Sequence, residues 1–156
     1  MSRKREVELF VVDIFIAIFK IRTYSSHFLS AQELLNDSLH WDATIRQLEI
    51  IGEAIKHLLQ NEQFQHSSPK YFKQIIDFRN VIAHAYFGIN EEEVWNVLQD
   101  KIDPLSKDLK KLATDLYDLS EAFETTIDYD LKNKDEKLIT YLQNLQKELK
   151  YARQPI

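Results

Sequence analysis

Apolar residues recur along this chain at intervals of three and four, the spacing that gives a helix one buried face. Phe10, Ile14, Ile18 and Ile21 form one such stripe, and Val12, Phe15, Ile16 and Phe19 populate the other faces, predicting a helix from about Arg5 to Tyr24. A helix apolar on most sides is buried on most sides. Either a second copy covers it, or it is a central core helix wrapped by the others. A polar connection at Ser25–His27 leads to a second pattern, about Asp42 to Gln60, in which Trp41, Ile45, Leu48, Gly52, Ile55 and Leu59 line up. Gly52 lies inside that stripe, where it costs about 1 kcal/mol of helix propensity relative to Ala. Close approach of another helix would account for it.

After a polar loop at Asn61–Ser68, Ser68-Pro69 reads as a helix start, a hydroxyl cap before a proline in the first turn. This third helix, Pro69 to about Tyr86, stops at Gly88. Asn90 and Glu93 then make a capping-box-like start, with Ile89 and Val94 as a hydrophobic staple, for a fourth helix reaching Pro104. Leu105, Leu109, Leu112, Leu116 and Leu119 stripe a fifth, to about Phe123. Leu131–Glu136 is charged loop, and Leu138, Leu142, Leu145 and Leu149 stripe a sixth, which could dock on the bundle, pair with its copy or hold a partner.

Composition agrees with an all-α fold, since 156 residues contain only two glycines and three prolines. That length holds one domain with a sizeable core. We expect a helical bundle at residues 1–125 and a charged linker with a C-terminal helix at 126–156. Cysteine is absent, which excludes disulfides and thiolate metal sites and suits a reducing cytoplasm. Arg3, Lys4 and Arg5 before an apolar run mimic a secretory signal, but Glu6, Glu8 and Asp13 interrupt it. The uninterrupted part, Ile14–Phe19, is far short of the roughly 20 residues that span a membrane. The net charge of −5 is concentrated: Asp115–Glu136 alone carries −6, leaving the rest at +1. Such a balance permits a local phosphate site and argues against a broad DNA-coating surface.

Candidate chemistry is confined to one stretch. There is no Gly-rich phosphate loop, no nucleophile elbow and no histidine pair three or four apart for a metal, so no cofactor or metal is expected. Glu49 and Glu53 are carboxylates at i,i+4, and with Arg46 one turn before Glu49 they read as an ordinary helix-surface ion pair. Arg79-Asn80-Val-Ile-Ala-His84-Ala-Tyr86 instead carries four polar groups among apolar neighbours. At about 100° per residue, Tyr86 shares the stripe of Arg79, and Asn80 neighbours His84. Arg79 and His84 are about 140° apart, so gripping one small group needs a distorted helix end or a second copy. An Arg beside Asp77 with a His at the helix end is also what a plain salt-bridged, capped helix terminus looks like.

The order of segments resembles the HepT-like toxins of the HEPN superfamily. Arg79-x4-His84-x-Tyr86 matches their motif, and Ala43–Ala54, ending in Ile-Gly-Glu-Ala, is similar to their second-helix segment. Pro69 and Val94-Trp95 also fall where that pattern has them, and the resemblance covers about Val7 to Leu112. It implies a HEPN-type up-and-down bundle, here with an extra C-terminal helix, forming a homodimer that cuts RNA without a metal. Arg79 would bind the scissile phosphate, His84 would move the proton of the attacking 2′-hydroxyl, and Asn80 would support them. Tyr86 would accept AMP from a nucleotidyltransferase antitoxin (MntA-like), silencing a toxin–antitoxin pair. The chain has no Gly-Ser-x-Asp transferase signature, which makes it the acceptor. An alternative is a non-catalytic helical subunit that binds such a transferase, and a third possibility is a plain dimerisation domain.

Overall fold

The computed structural model describes the backbone of residues 3–84 and 88–153 and the side chains of 7–84 and 88–152. The sequence-predicted Tyr86 lies outside them. The fold is the expected all-α bundle, and among the described residues no helix is long and apolar enough to cross a membrane.

The bundle is built around α1 (Arg3–Ser25). Val11, Val12, Ile14, Phe15, Ala17, Ile18 and Ile21 are all essentially inaccessible, and α1 packs against four other helices. Of the two readings of its all-round apolarity, the central core helix is the one realised. Its main partner is α3 (Ser38–Leu58), which turns Ile45, Leu48, Ile51, Ile55 and Leu58 inward at the predicted spacing. Asp37 caps α3, accepting the backbone N–H of His40 at 3.1 Å and pairing with its ring Nδ1 at 2.9 Å. Those hydrogen bonds hold the Asp37 carboxyl below its ordinary range.

Two short helices were not predicted, one ahead of the second pattern and one inside the loop expected at Asn61–Ser68. Helix α2 (Ala31–Asn36) is capped by Ser30, which accepts the N–H of Glu33, while Glu33 accepts the N–H of Leu29. This near-reciprocal cap was legible as Ser-x-x-Glu but lacked the apolar run that would have drawn attention to it. Helix α4 (Glu62–Ser67) is capped by Asn61 and buries Phe64.

The motif helix α5 (Phe72–His84) begins three residues later than Pro69. Backbone bonds from Phe72 to Pro69, Lys73 to Lys70 and Gln74 to Tyr71 make a tighter 3₁₀-type lead-in to it. Phe72 is fully buried, and the Tyr71 hydroxyl donates to Asp108 at 2.5 Å, anchoring the start of α5. Asn90 caps α6 (Glu91–Asp100) through the N–H of Glu93, as expected, and Val94 is buried beneath it.

Pro104 does not separate two helices. It sits in the first turn of α7 (Ile102–Leu116), where a missing N–H costs nothing. The leucine stripe expected to run to Phe123 breaks instead at Tyr117, whose backbone is extended (φ −134°, ψ 152°). Leu119 and Phe123 are still buried, Phe123 from a separate helix, α8 (Ser120–Thr125), which is followed by a π-helical turn at Thr126–Asp130.

The last helix, α9 (Glu136–Arg153), docks on the bundle, of the three fates open to it. Leu138, Leu142, Leu145 and Leu149 are buried against α1, α7 and α8. Leu142→Ala is therefore expected to cost about 2–5 kcal/mol, the range for emptying a buried leucine site, measured by urea unfolding of the full chain. A change indistinguishable from zero would show that α9 adds nothing to the core.

Candidate active site

Helix α5 lies across α3, and the crossing is set by Gly52. A Cβ on Gly52 would sit 2.3 Å from Arg79 Cβ and 2.6 Å from its Cγ, distances that no real pair of carbons tolerates. The glycine in the apolar stripe thus exists for close approach, and the side chain that approaches is the motif arginine.

Arg79 is held beyond that root. Its Nη2 lies 3.0 Å from Glu53 Oε2, and its Nη1 donates to Asn80 Oδ1 at 3.2 Å. Its Nε is buried and hydrogen-bonds to nothing among the described residues. With 27% of its side chain exposed, Arg79 presents a restrained guanidinium at the surface of the α3–α5 seam. The helix-surface ion pair expected between Arg46 and Glu49 forms, at 3.6 Å, while Glu53, one turn further along, turns to Arg79 on the other helix. Its other oxygen lies 3.5 Å from His57 Nε2, one turn along α3. The imidazole of His57 stacks flat on Phe10 of α1, ring centres 4.6 Å apart and planes 5° apart.

The imidazole of the motif faces elsewhere. Asn80 is exposed, and His84 is the exposed last residue of α5. Asp77 and Val81 are exposed on the same side as His84, Val81 at 53%. Helix α5 is regular through His84, so nothing within it bends the imidazole back toward Arg79. The structure brings Arg79, Asn80, Glu53 and His57 together and leaves His84 on a diverging, solvent-facing stripe. Among the described residues there is no group of three or more His, Asp or Glu that could hold a metal.

Comparisons with known proteins identify a family. Residues 14–112 match the family described as "Ribonuclease HepT-like", a span that runs from α1 to α7 and contains Gly52, Glu53, His57, Arg79 and His84. The chain belongs to the HepT-like ribonuclease family. "Putative RNase MJ1380" of Methanocaldococcus jannaschii is 29% identical over 108 residues, 69% of this chain and 96% of that protein. "Putative RNase MJ0127" of the same organism is 32% identical over 114 residues, 72% of this chain and 92% of the relative. "Probable ribonuclease HepT" of Thermococcus cleftensis is 30% identical over 110 residues, 70% and 97% respectively. No solved structure matches.

Gly52→Ala tests the seam directly. The inserted methyl must push α5 away, at about 1–3 kcal/mol for overpacking, offset in part by about 1 kcal/mol of helix propensity. We expect a net loss of stability in chemical unfolding. A variant more stable than the parent would mean that the two helices are not locked at this position.

Proposed function

We propose that this chain is a metal-independent endoribonuclease toxin of a toxin–antitoxin pair. The observation that carries the reading is the restrained, part-exposed guanidinium of Arg79 on the same helix as His84, within a chain of the HepT-like ribonuclease family. A fixed guanidinium suits the charge that grows on a phosphate's oxygens as a nucleophile adds to it. An imidazole suits proton transfer near neutral pH. In this reading the ribose 2′-oxygen attacks phosphorus and gives its proton to His84. The bond from phosphorus to the 5′-oxygen breaks, and that oxygen leaves with a proton from an imidazolium. The products are a cyclic phosphate and a 5′-hydroxyl end, so water is not consumed in the cleavage step.

Divergence of Arg79 and His84 on a regular helix favours a homodimer, in which each copy supplies part of a shared cleft. The exposed stripe of Asp77, Val81 and His84 is the side of α5 that such a partner would face. Tyr86, in this proposal, is the acceptor for AMP from a nucleotidyltransferase antitoxin (MntA-like). A phosphodiester placed there would compete for Arg79 and silence the enzyme.

RNA cleavage is expected to persist in EDTA and to be lost in both Arg79→Ala and His84→Ala, read on a labelled RNA with folding checked by circular dichroism. Cleavage that survives in the folded double variant would sink the assignment. Incubation with the neighbouring nucleotidyltransferase and ATP is expected to raise the intact mass by one or more AMP units, and not in Tyr86→Phe. A mass gain in a chain that never cleaves RNA would instead support the non-catalytic binding subunit.

A further inference from the structure

The carboxylate of Glu53 is clamped from two sides at a place where packing does not require it. Its side chain is 42% exposed, and that of His57 is 43% exposed, so neither fills the core. Yet one Glu53 oxygen is 3.0 Å from Arg79 Nη2, the other is 3.5 Å from His57 Nε2, and the ring of His57 lies flat against Phe10. The chain of contacts thus runs from the central helix α1, through α3, to the guanidinium on α5.

An arginine normally carries several free torsions, and each must be fixed before its charge can meet a phosphate in one geometry. Here the root is fixed by the jam against Gly52, which sets Cβ and Cγ. At the head, one terminal nitrogen lies 3.0 Å from the Glu53 carboxylate and the other donates a hydrogen bond to Asn80. A mobile Glu53 would not hold anything. The stacked ring of His57, 3.5 Å from the second oxygen, is what limits where that carboxylate can sit.

We propose that Glu53 is a positioning residue for Arg79, and that His57, held flat by Phe10, is the brace that keeps Glu53 in place. This rests on the reading of Arg79 as the group that meets the scissile phosphate. Neither residue touches RNA in this scheme. Their effect passes through the direction of the Arg79 guanidinium, and misplacing a charge by about 1 Å is enough to cost about 10²-fold in rate.

The test is a set of double-variant cycles on the full chain, with kcat and KM measured on one RNA substrate and folding checked by thermal melt. Glu53→Gln keeps the size of the side chain and removes its charge. It is expected to lower kcat about tenfold or more while leaving KM and the melt close to the parent. In an Arg79→Lys background, where the fork that Glu53 holds is gone, the same substitution is expected to change kcat less than about twofold. His57→Ala should lower kcat in the parent and have no further effect on Glu53→Gln. Should Glu53→Gln not fold, Glu53→Asp, which keeps the charge and withdraws it by one methylene, enters the same cycle. Additive effects in the two backgrounds, or an unchanged kcat in Glu53→Gln while Arg79→Ala abolishes cleavage, would overturn the proposal and leave the ribonuclease reading standing. Full cleavage by Arg79→Ala would remove the ribonuclease assignment of Arg79 itself, and this proposal with it.

Discussion

The contact between Gly52 and the root of Arg79 is the constraint on which the arrangement of this molecule turns. A helix crossing made at a glycine is closer than one made at any other residue, and here the residue admitted is a long, charged side chain. Burying the stem of Arg79 leaves its charge to be dealt with at the seam, where Glu53 sits one residue from the glycine. Local backbone economy and electrostatics are thus settled by two neighbouring positions of α3. A surface ion pair contributes little to stability in general. What this one supplies is direction.

That crossing depends on the helix behind it. Helix α3 is backed by α1, whose apolar residues point outward all round and are buried from Val11 to Ile21 except for the part-covered Ile16 and Phe19. The stacking of Phe10 on His57 brings α1 within reach of the charged seam itself. At the other end, Tyr71 ties the start of α5 to Asp108 on α7. The motif helix is therefore held at its start and its middle, while its last residue, His84, projects into solvent.

Most of the fold was legible because helical periodicity is a strong signal when stripes are long. The stripes of α1, α3 and α9 predicted their buried faces, and Asn90 capped α6 through Glu93 as its spacing implied. Short helices escaped, because α2 and α4 have six residues each and bury too few side chains to show a period. The break at Tyr117 also escaped: leucines continue on schedule to Leu119, although the backbone is out of the helix from Tyr117 to Leu119. At the site, the oddness of Gly52 was readable and its reason was not, since no sequence rule names the side chain that a glycine makes room for. The partner of Glu53 was hidden for the same cause. That partner, Arg79, is 26 positions away and becomes a neighbour only through the fold.

The distance along the chain between the elements that cover α1 gives the central helix another significance. Its main partner, α3, is a near neighbour in sequence, so that pair forms by closing a short loop. Its contacts with α7, α8 and α9 join segments far apart in sequence, and such non-local pairings are the slow ones to form. The seam at Gly52 lies in the part of the bundle built from sequence neighbours, and α9 closes the part built from distant ones.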